Sequence, residues 1–292
     1  MSSSDEHRSL LDGQTNISSA SSRRYVADLT VIFHSSHVAK TSETKSEEPP
    51  DNFNQLGFIA ATLLLEDSEG SISNRDSLVG STVTYLKPGG VYWCNSGSGL
   101  VHEQIPATSG QMLRGLQVFI DLPAEHKFSK ASVQLISPSD VPKSVTPEGV
   151  TVRTLVGVDS PIVSLVDIII LELTIPKGAS FSFSPPPNYT SALIHMISGE
   201  VLIGETFLGP FDTASFTIGS SNSVKITNIA ENDEKNTVKL IIFAGCPLSQ
   251  PAVWGGPFLM LSEAQIKDRK RAFQEGEMGF LSPSLVSWPS KK

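Results

Sequence analysis

Two cysteines in 292 residues, Cys94 and Cys246, are too few for a disulfide framework. They read as reduced thiols of a cytoplasmic or nuclear protein. Long apolar runs are also missing. The greasiest stretch, SLVDIIILELTI, is broken by Asp167 and Glu172, short of the roughly 18 uninterrupted residues of a membrane span. The N-terminal MSSSDEHRSLLDGQTNISSASSRR has no apolar h-region, so no secretory leader is expected. The sequons at Asn16 and Asn188 are accordingly expected to stay unmodified. Basic excess is absent too: the formal charge is −8. Direct nucleic-acid binding would need a dense Lys/Arg face. No G-x-G-x-x-G or Walker pattern occurs, and SGSGL, residues 96–100, lacks the strand–elbow–helix context of a nucleophilic serine.

What is there is strand text. Apolar residues make up 39% and charged residues 18%, ordinary for a globular chain able to bury a sizeable core. Residues 1–24 are rich in Ser and charge and are expected to be a disordered tail. One strand is expected in 25–39. TSETKSEEPPDN (41–52) reads as an exposed loop, because Pro49 and Pro50 forbid regular structure.

From Phe58 onward short β-branched or aromatic runs recur: GFIAATLLLE, STVTYLKPGGVYWC, GLVHEQI and LRGLQVFIDL. KPGG (87–90) is a tight turn between two of them. Polar, Pro-rich SPSDVPKSVTPEGV, residues 137–150, reads as a linker. Strands then resume in VDIIILELTIP, FSFSPP, SALIHMISGEVLI, SVKITNI and TVKLIIFAG. One helix is predicted, in LSEAQIKDRKRAFQEGEMG, opened by a capping box of Ser262 and Gln265 and closed by Gly276 at C′. Two strand-rich halves and one late helix define an all-β protein of two sandwiches or barrels.

Longer motifs then carry a resemblance. RDS, LKPGGVYWCNSGSGLVHEQIP, GLQVFIDLPAEHK and, near the C-terminus, GCPLSQPAVWGGPFLMLSEAQIKDRKRAFQEGEMG resemble the pirin-like bicupin family from about residue 53 to 280. The resemblance implies two cupin-type antiparallel β-barrels with a C-terminal helix: an N-terminal barrel over 25–136, a linker over 137–150, and a C-terminal barrel plus helix over 151–292. It also implies one iron in the N-terminal barrel, held by three histidines and a glutamate in an HPH pair before RGF and a later HSE. Members of the family cleave flavonols with O2 as quercetin 2,3-dioxygenases, or act in the nucleus as co-regulators of transcription factors.

Carried over position by position, HPHRGF falls on FNQLGF, residues 53–58. Phe53 and Gln55 therefore stand where two ligands are expected. The histidine of HSE falls on His102, and its glutamate on Gln104. Phe53 offers no donor, and the amides of Gln55 and Gln104 bind iron poorly without an anionic partner. In a strand Glu103 faces away from His102 and Gln104, so only a bulge lets it substitute. His102 reads as the remnant of an iron site.

Other candidates are weaker. His34 and His37 form an H-x-x-H without an acidic partner at ligand spacing. His195 reads as a satisfied core histidine, His126 as structural, and Cys94 as a small buried hydrophobe. Lys267, Arg269, Lys270 and Arg271 form a solvated face that suits an acidic partner. The leading expectation is a pirin-like protein that has lost its iron and acts as a non-catalytic binding or regulatory protein. No catalytic residue and no cofactor is expected, a protein partner is, and a small apolar ligand fits the emptied N-terminal barrel. The alternative is a metal-dependent, O2-using dioxygenase with Fe on His102.

Overall fold

The computed structural model describes residues 15–18, 31–38, 53–108, 110–217, 223–229 and 237–281. The rest of the expected tail and the 41–52 loop lie outside the described residues. The strands of the first half, after β1 (Thr15–Ser18), are β2 (Val31–Val38), β3 (Phe53–Gln55), β4 (Phe58–Leu64), β5 (Ile72–Asp76), β6 (Thr84–Leu86), β7 (Val91–Asn95), β8 (Leu100–Pro106), β9 (Leu113–Asp121) and β10 (Ser132–Ile136). They form a five-stranded sheet, β10-β7-β4-β9-β2, facing a four-stranded sheet, β3-β8-β5-β6.

The second half holds β11 (Lys143–Val145), β12 (Thr151–Val156), β13 (Ile168–Pro176), β14 (Ser180–Phe183), β15 (Ser191–Ser198), β16 (Val201–Ile203), β17 (Thr206–Leu208), β18 (Thr213–Thr217), β19 (Val224–Asn228), β20 (Thr237–Gly245), β21 (Val253–Trp254) and β22 (Leu259–Met260), then α1 (Glu263–Gln274). A seven-stranded sheet, β1-β18-β15-β20-β13-β12-β11, faces β14-β19-β16-β17. Every ladder pair among these strands is antiparallel, and the fold is mostly β with one late helix. Among the described residues the ladders stay open: each half is two facing sheets, where the family resemblance implies cupin-type barrels. Two further details differ from expectation. Thr15–Ser18 pairs with β18 inside the expected tail, and Lys143–Val145 pairs with β12 inside the expected linker. An edge strand needs backbone hydrogen bonds on one side only, so neither segment had to announce itself by apolar alternation.

The large sheets are buried on both faces. Phe58, Ala60 and Leu64 of β4 pack inside the first half with Tyr92, Cys94, Leu86 and Leu100. Their alternates Ile59, Ala61 and Leu63 pack with Trp93, Val118 and Ile120 against Ile170, Leu193, Ile241 and Phe243 of the second half. A seven-residue strand buried throughout, FIAATLL, is what this back-to-back arrangement demands. Arg153 adds a polar tie, donating to Glu172 and to the Gly89 carbonyl of the KPGG turn.

The chain then returns. β21, β22 and α1 lie against the first half: Leu56 bridges Phe258, and Leu56, Val101, Phe258, Met260, Ile266 and Met278 share one apolar cluster. Ser262 caps α1 through Gln265 N (3.3 Å), and Gly276 takes φ +82° just past the helix, both as predicted. Lys127 clamps the return. Its side chain is 0% exposed, and its Nζ donates to Asp121 and, at 2.9 Å each, to the carbonyls of Gly57 and Leu259.

Candidate functional site

His102 sits on β8, the central-left strand of the four-stranded sheet, with Phe53 of β3 opposite it on one side and Asp76 of β5 on the other. Alternation turns Leu100, His102 and Gln104 toward the interior and Val101 and Glu103 outward. Glu103 is accordingly buried on the far face in an ion pair with Arg75 (2.6 Å), beneath the returning C-terminal segment. No bulge interrupts the β8 register, so Glu103 does not reach the His102 side.

The interior is built from both sheets. Tyr92 of β7 stacks on His102, with ring centroids 6.2 Å apart. Register places Thr62 of β4 between Tyr92 and Gln117 of β9. Thr62 Oγ1 lies 2.9 Å from both Gln104 Oε1 and Gln117 Oε1, while Gln104 Nε2 donates to Asn74 Oδ1 (2.7 Å) and Asn74 Nδ2 to the Ile72 carbonyl (3.1 Å). A hydroxyl has one proton and cannot donate twice. With the Gln117 amide turned, its N–H donates to Thr62, Thr62 donates to Gln104, and Gln104 to Asn74. This amide chain runs from one sheet to the other and holds Gln104 by both ends of its amide.

Burial sets the protonation states. It pushes His102 down to about 4, so the imidazole is neutral at pH 7. It raises the Tyr92 hydroxyl and the Cys94 thiol, Asp76 adding to both, so neither is anionic. Asp76 spends Oδ1 on the backbone N–H groups of Leu78 (2.9 Å) and Val79 (3.2 Å). Three polar atoms facing this interior have no hydrogen-bond partner among the described residues: Gln55 Oε1, Tyr92 Oη and the free end of the Gln117 amide. Each such orphan costs about 1–3 kcal/mol.

The four positions singled out in the sequence, Phe53, Gln55, His102 and Gln104, thus share one small sheet, with Gln55, His102 and Gln104 on its interior side. The side chain of Phe53, and those of His34 and His37 on β2, lie outside the described residues. Asn74, Asp76, Thr62, Tyr92 and Gln117 were missed. The polar alternation of SISNRD, and the single Thr and Gln within apolar strands, were the available signals. Elsewhere, His195 is buried against Thr213 (2.8 Å from Nδ1) and faces the other half. His126 is half-buried in a 3-10 turn, and Cys94 is a fully buried interior thiol. Among the described residues, no three His, Cys, Asp or Glu side chains form a metal-ligating group. The SGSG glycines make the tight β7–β8 connection; a Cβ on Gly97 would meet Ser129 O at 2.1 Å.

Paired antiparallel sheets enclosing a polar interior with a histidine on a central strand define a cupin. The solved structures agree: a quercetin 2,3-dioxygenase from Acinetobacter baumannii superposes with a TM-score of 0.72 at 21% identity, covering 88% of each chain. Bacterial pirin YhhW from Escherichia coli, in complex with nickel(II), gives 0.55 at 14%, covering 83% of this chain and 95% of its own. Residues 170–279 match the pirin C-terminal cupin domain. Human pirin is 29% identical over 243 residues, 80% of this chain and 79% of its own length. The chain thus carries a pirin-type cupin domain in its second half and is similar to pirins over most of its length. Among the described residues no helix is long and apolar enough to cross a membrane.

Proposed function

We propose that this pirin-like protein has lost the iron centre of its N-terminal half and works as a non-catalytic binding and regulatory protein, its halves each representing one cupin barrel of a bicupin. One observation carries the reading. Gln104, at the expected glutamate position, is held by Thr62 and Asn74 in an uncharged amide chain, where an iron ligand would need a free anionic oxygen. With Phe53 and Gln55 at two histidine positions, the donors reduce to one neutral imidazole and neutral amides. That set does not fit iron held by three histidines and a carboxylate. A regulatory role in the cytoplasm or nucleus calls for a protein partner, and the basic face of Lys267, Lys270 and Arg271 suits an acidic one.

The second reading, a metal-dependent quercetin 2,3-dioxygenase-like enzyme, draws on His102, whose neutral imidazole is the form a metal requires. Metal analysis of freshly purified protein together with a quercetin-plus-O2 assay separates the two. The binding reading expects less than stoichiometric iron after iron loading and no flavonol turnover. Near-stoichiometric iron lost on His102→Ala would overturn it. The combined Phe53→His, Gln55→His, Gln104→Glu variant is expected to recover iron binding.

A further inference from the structure

The cations of α1 fall into two groups. Arg269 and Arg271 are matched locally. Arg269 donates to Asp268 (2.6 Å) and lies 3.8 Å from Glu277, while Arg271 reaches Asp268 (2.8 Å) and Glu275 (3.9 Å). The Arg269 guanidinium also sits over the Phe128 ring, 5.6 Å from its centroid. Lys267 and Lys270 are exposed and have no ion pair among the described residues. Three residues apart on a helix, their Cβ atoms stand about 5–6 Å from each other on one face. Beside them runs an open groove of about 480 Å³, lined by Glu263, Ala264, Ile266, Lys267 and Lys270. Ala264 and Ile266 are its apolar part, and Glu263 is its acid.

The helix beneath is fixed. Ile266 belongs to the apolar cluster that joins the C-terminal return to the first half. Gly255 approaches it so closely that a Cβ there would meet Ile266 Cγ2 at 2.2 Å. A partner docking on this platform has no backbone to order.

We propose that this face of α1 docks an acidic segment of a partner protein. Two carboxylates about 5–7 Å apart meet Lys267 and Lys270, and an apolar side chain between them lies against Ala264 and Ile266. The inference deepens the binding reading, from which it takes the need for a protein partner. It assigns the contact to the two lysines rather than to Arg271, whose charge is already matched. Charge complementarity selects the class of partner. The whole chain carries −8, so recognition of an anion rests on the local pair and not on a general field. Two lysines neutralise about two phosphates, too few to hold a nucleic acid against that net charge. A peptide adds the burial of an apolar side chain in the groove, which a phosphate backbone lacks.

The probe is the amidated peptide Glu-Glu-Leu-Leu-Glu-Glu with fluorescein at its N-terminus, titrated into the full chain by anisotropy. 15N spectra locate the contact. Binding is expected to shift signals of α1 and to weaken about fivefold between about 0.02 M and about 0.3 M salt. Replacing the glutamates by Gln, or the leucines by Ser, should each weaken it about fivefold or more. Lys267→Gln with Lys270→Gln should weaken it about tenfold, and Glu263→Gln should tighten it about twofold. Arg271→Gln should stay within about twofold of wild type. All four positions are exposed, so thermal midpoints should stay within about 2 °C.

Equal binding of the Gln peptide, equal losses in Arg271→Gln and the lysine variant, or shifts away from α1 would overturn the proposal. So would a DNA duplex bound at α1 as tightly as the peptide, or sedimentation showing that α1 joins two copies of this chain. Iron content decides the metal-free reading separately. Stoichiometric iron with peptide bound at α1 would strike that reading and leave the docking face standing, and a metal-free protein indifferent to the peptide would do the reverse.

Discussion

Replacing Lys127 by Met keeps the aliphatic stem and deletes the charge that joins the C-terminal return to the first half. The ammonium is fully buried against Asp121, itself 3% exposed, and donates to the Gly57 and Leu259 carbonyls. Removing one partner of a buried pair strands the other charge at a cost of about 3–5 kcal/mol. Asp121 keeps one neutral bond, from Gln250 Nε2 at 2.8 Å, which offsets a fraction of that cost. The two carbonyls each lose a net contribution of about 1 kcal/mol. These terms are not additive, so about 4–6 kcal/mol is expected, against a total stability of about 5–15 kcal/mol. Equilibrium urea unfolding measures it, with the m-value checking that the transition is unchanged in kind. The charge argument makes a second demand. Lys127→Met with Asp121→Asn should recover about 2–3 kcal/mol, because no uncompensated charge remains. A single variant within about 1 kcal/mol of wild type, or a double variant no better than the single, would refute the reasoning.

Two further outcomes follow from the same structure. Gly57 has φ +83°, and a Cβ there would lie 2.1 Å from Leu259 O, so Gly57→Ala should cost about 3 kcal/mol or more by prising off the β21–β22 return; a thermal midpoint equal to wild type would contradict it. His102 and His195 are both pushed down to about 4 by burial. Below about 6.5 the unfolded chain takes up protons that the folded chain refuses. Stability is therefore full above about pH 6.5 and falls toward pH 4, by about 2 kcal/mol per histidine at pH 5. His102→Gln should remove one such share, and identical acid slopes for variant and wild type would show that His102 titrates normally.

Local chemistry alone reached far along this chain. The strand and turn rhythm, the Ser262 and Gly276 bounds of the helix, and the outward turn of Glu103 all depend on neighbours within a few residues, and all were legible. So was the grouping of Phe53, Gln55, His102 and Gln104, once the motifs aligned them. What chain order could not express is which strands meet. Asn74 and Asp76 join the site through β5, a short polar strand that periodicity passes over, and Thr62, Tyr92 and Gln117 through three strands of the facing sheet. Packing likewise turned Lys127, one residue from the histidine that drew notice, into the buried clamp. Whether the sheets close into barrels or face each other openly is set by register and edge pairing between distant segments. Residue types and their spacing belong to the sequence; partners, burial and the orphaned atoms at the site arise only where remote strands are brought face to face.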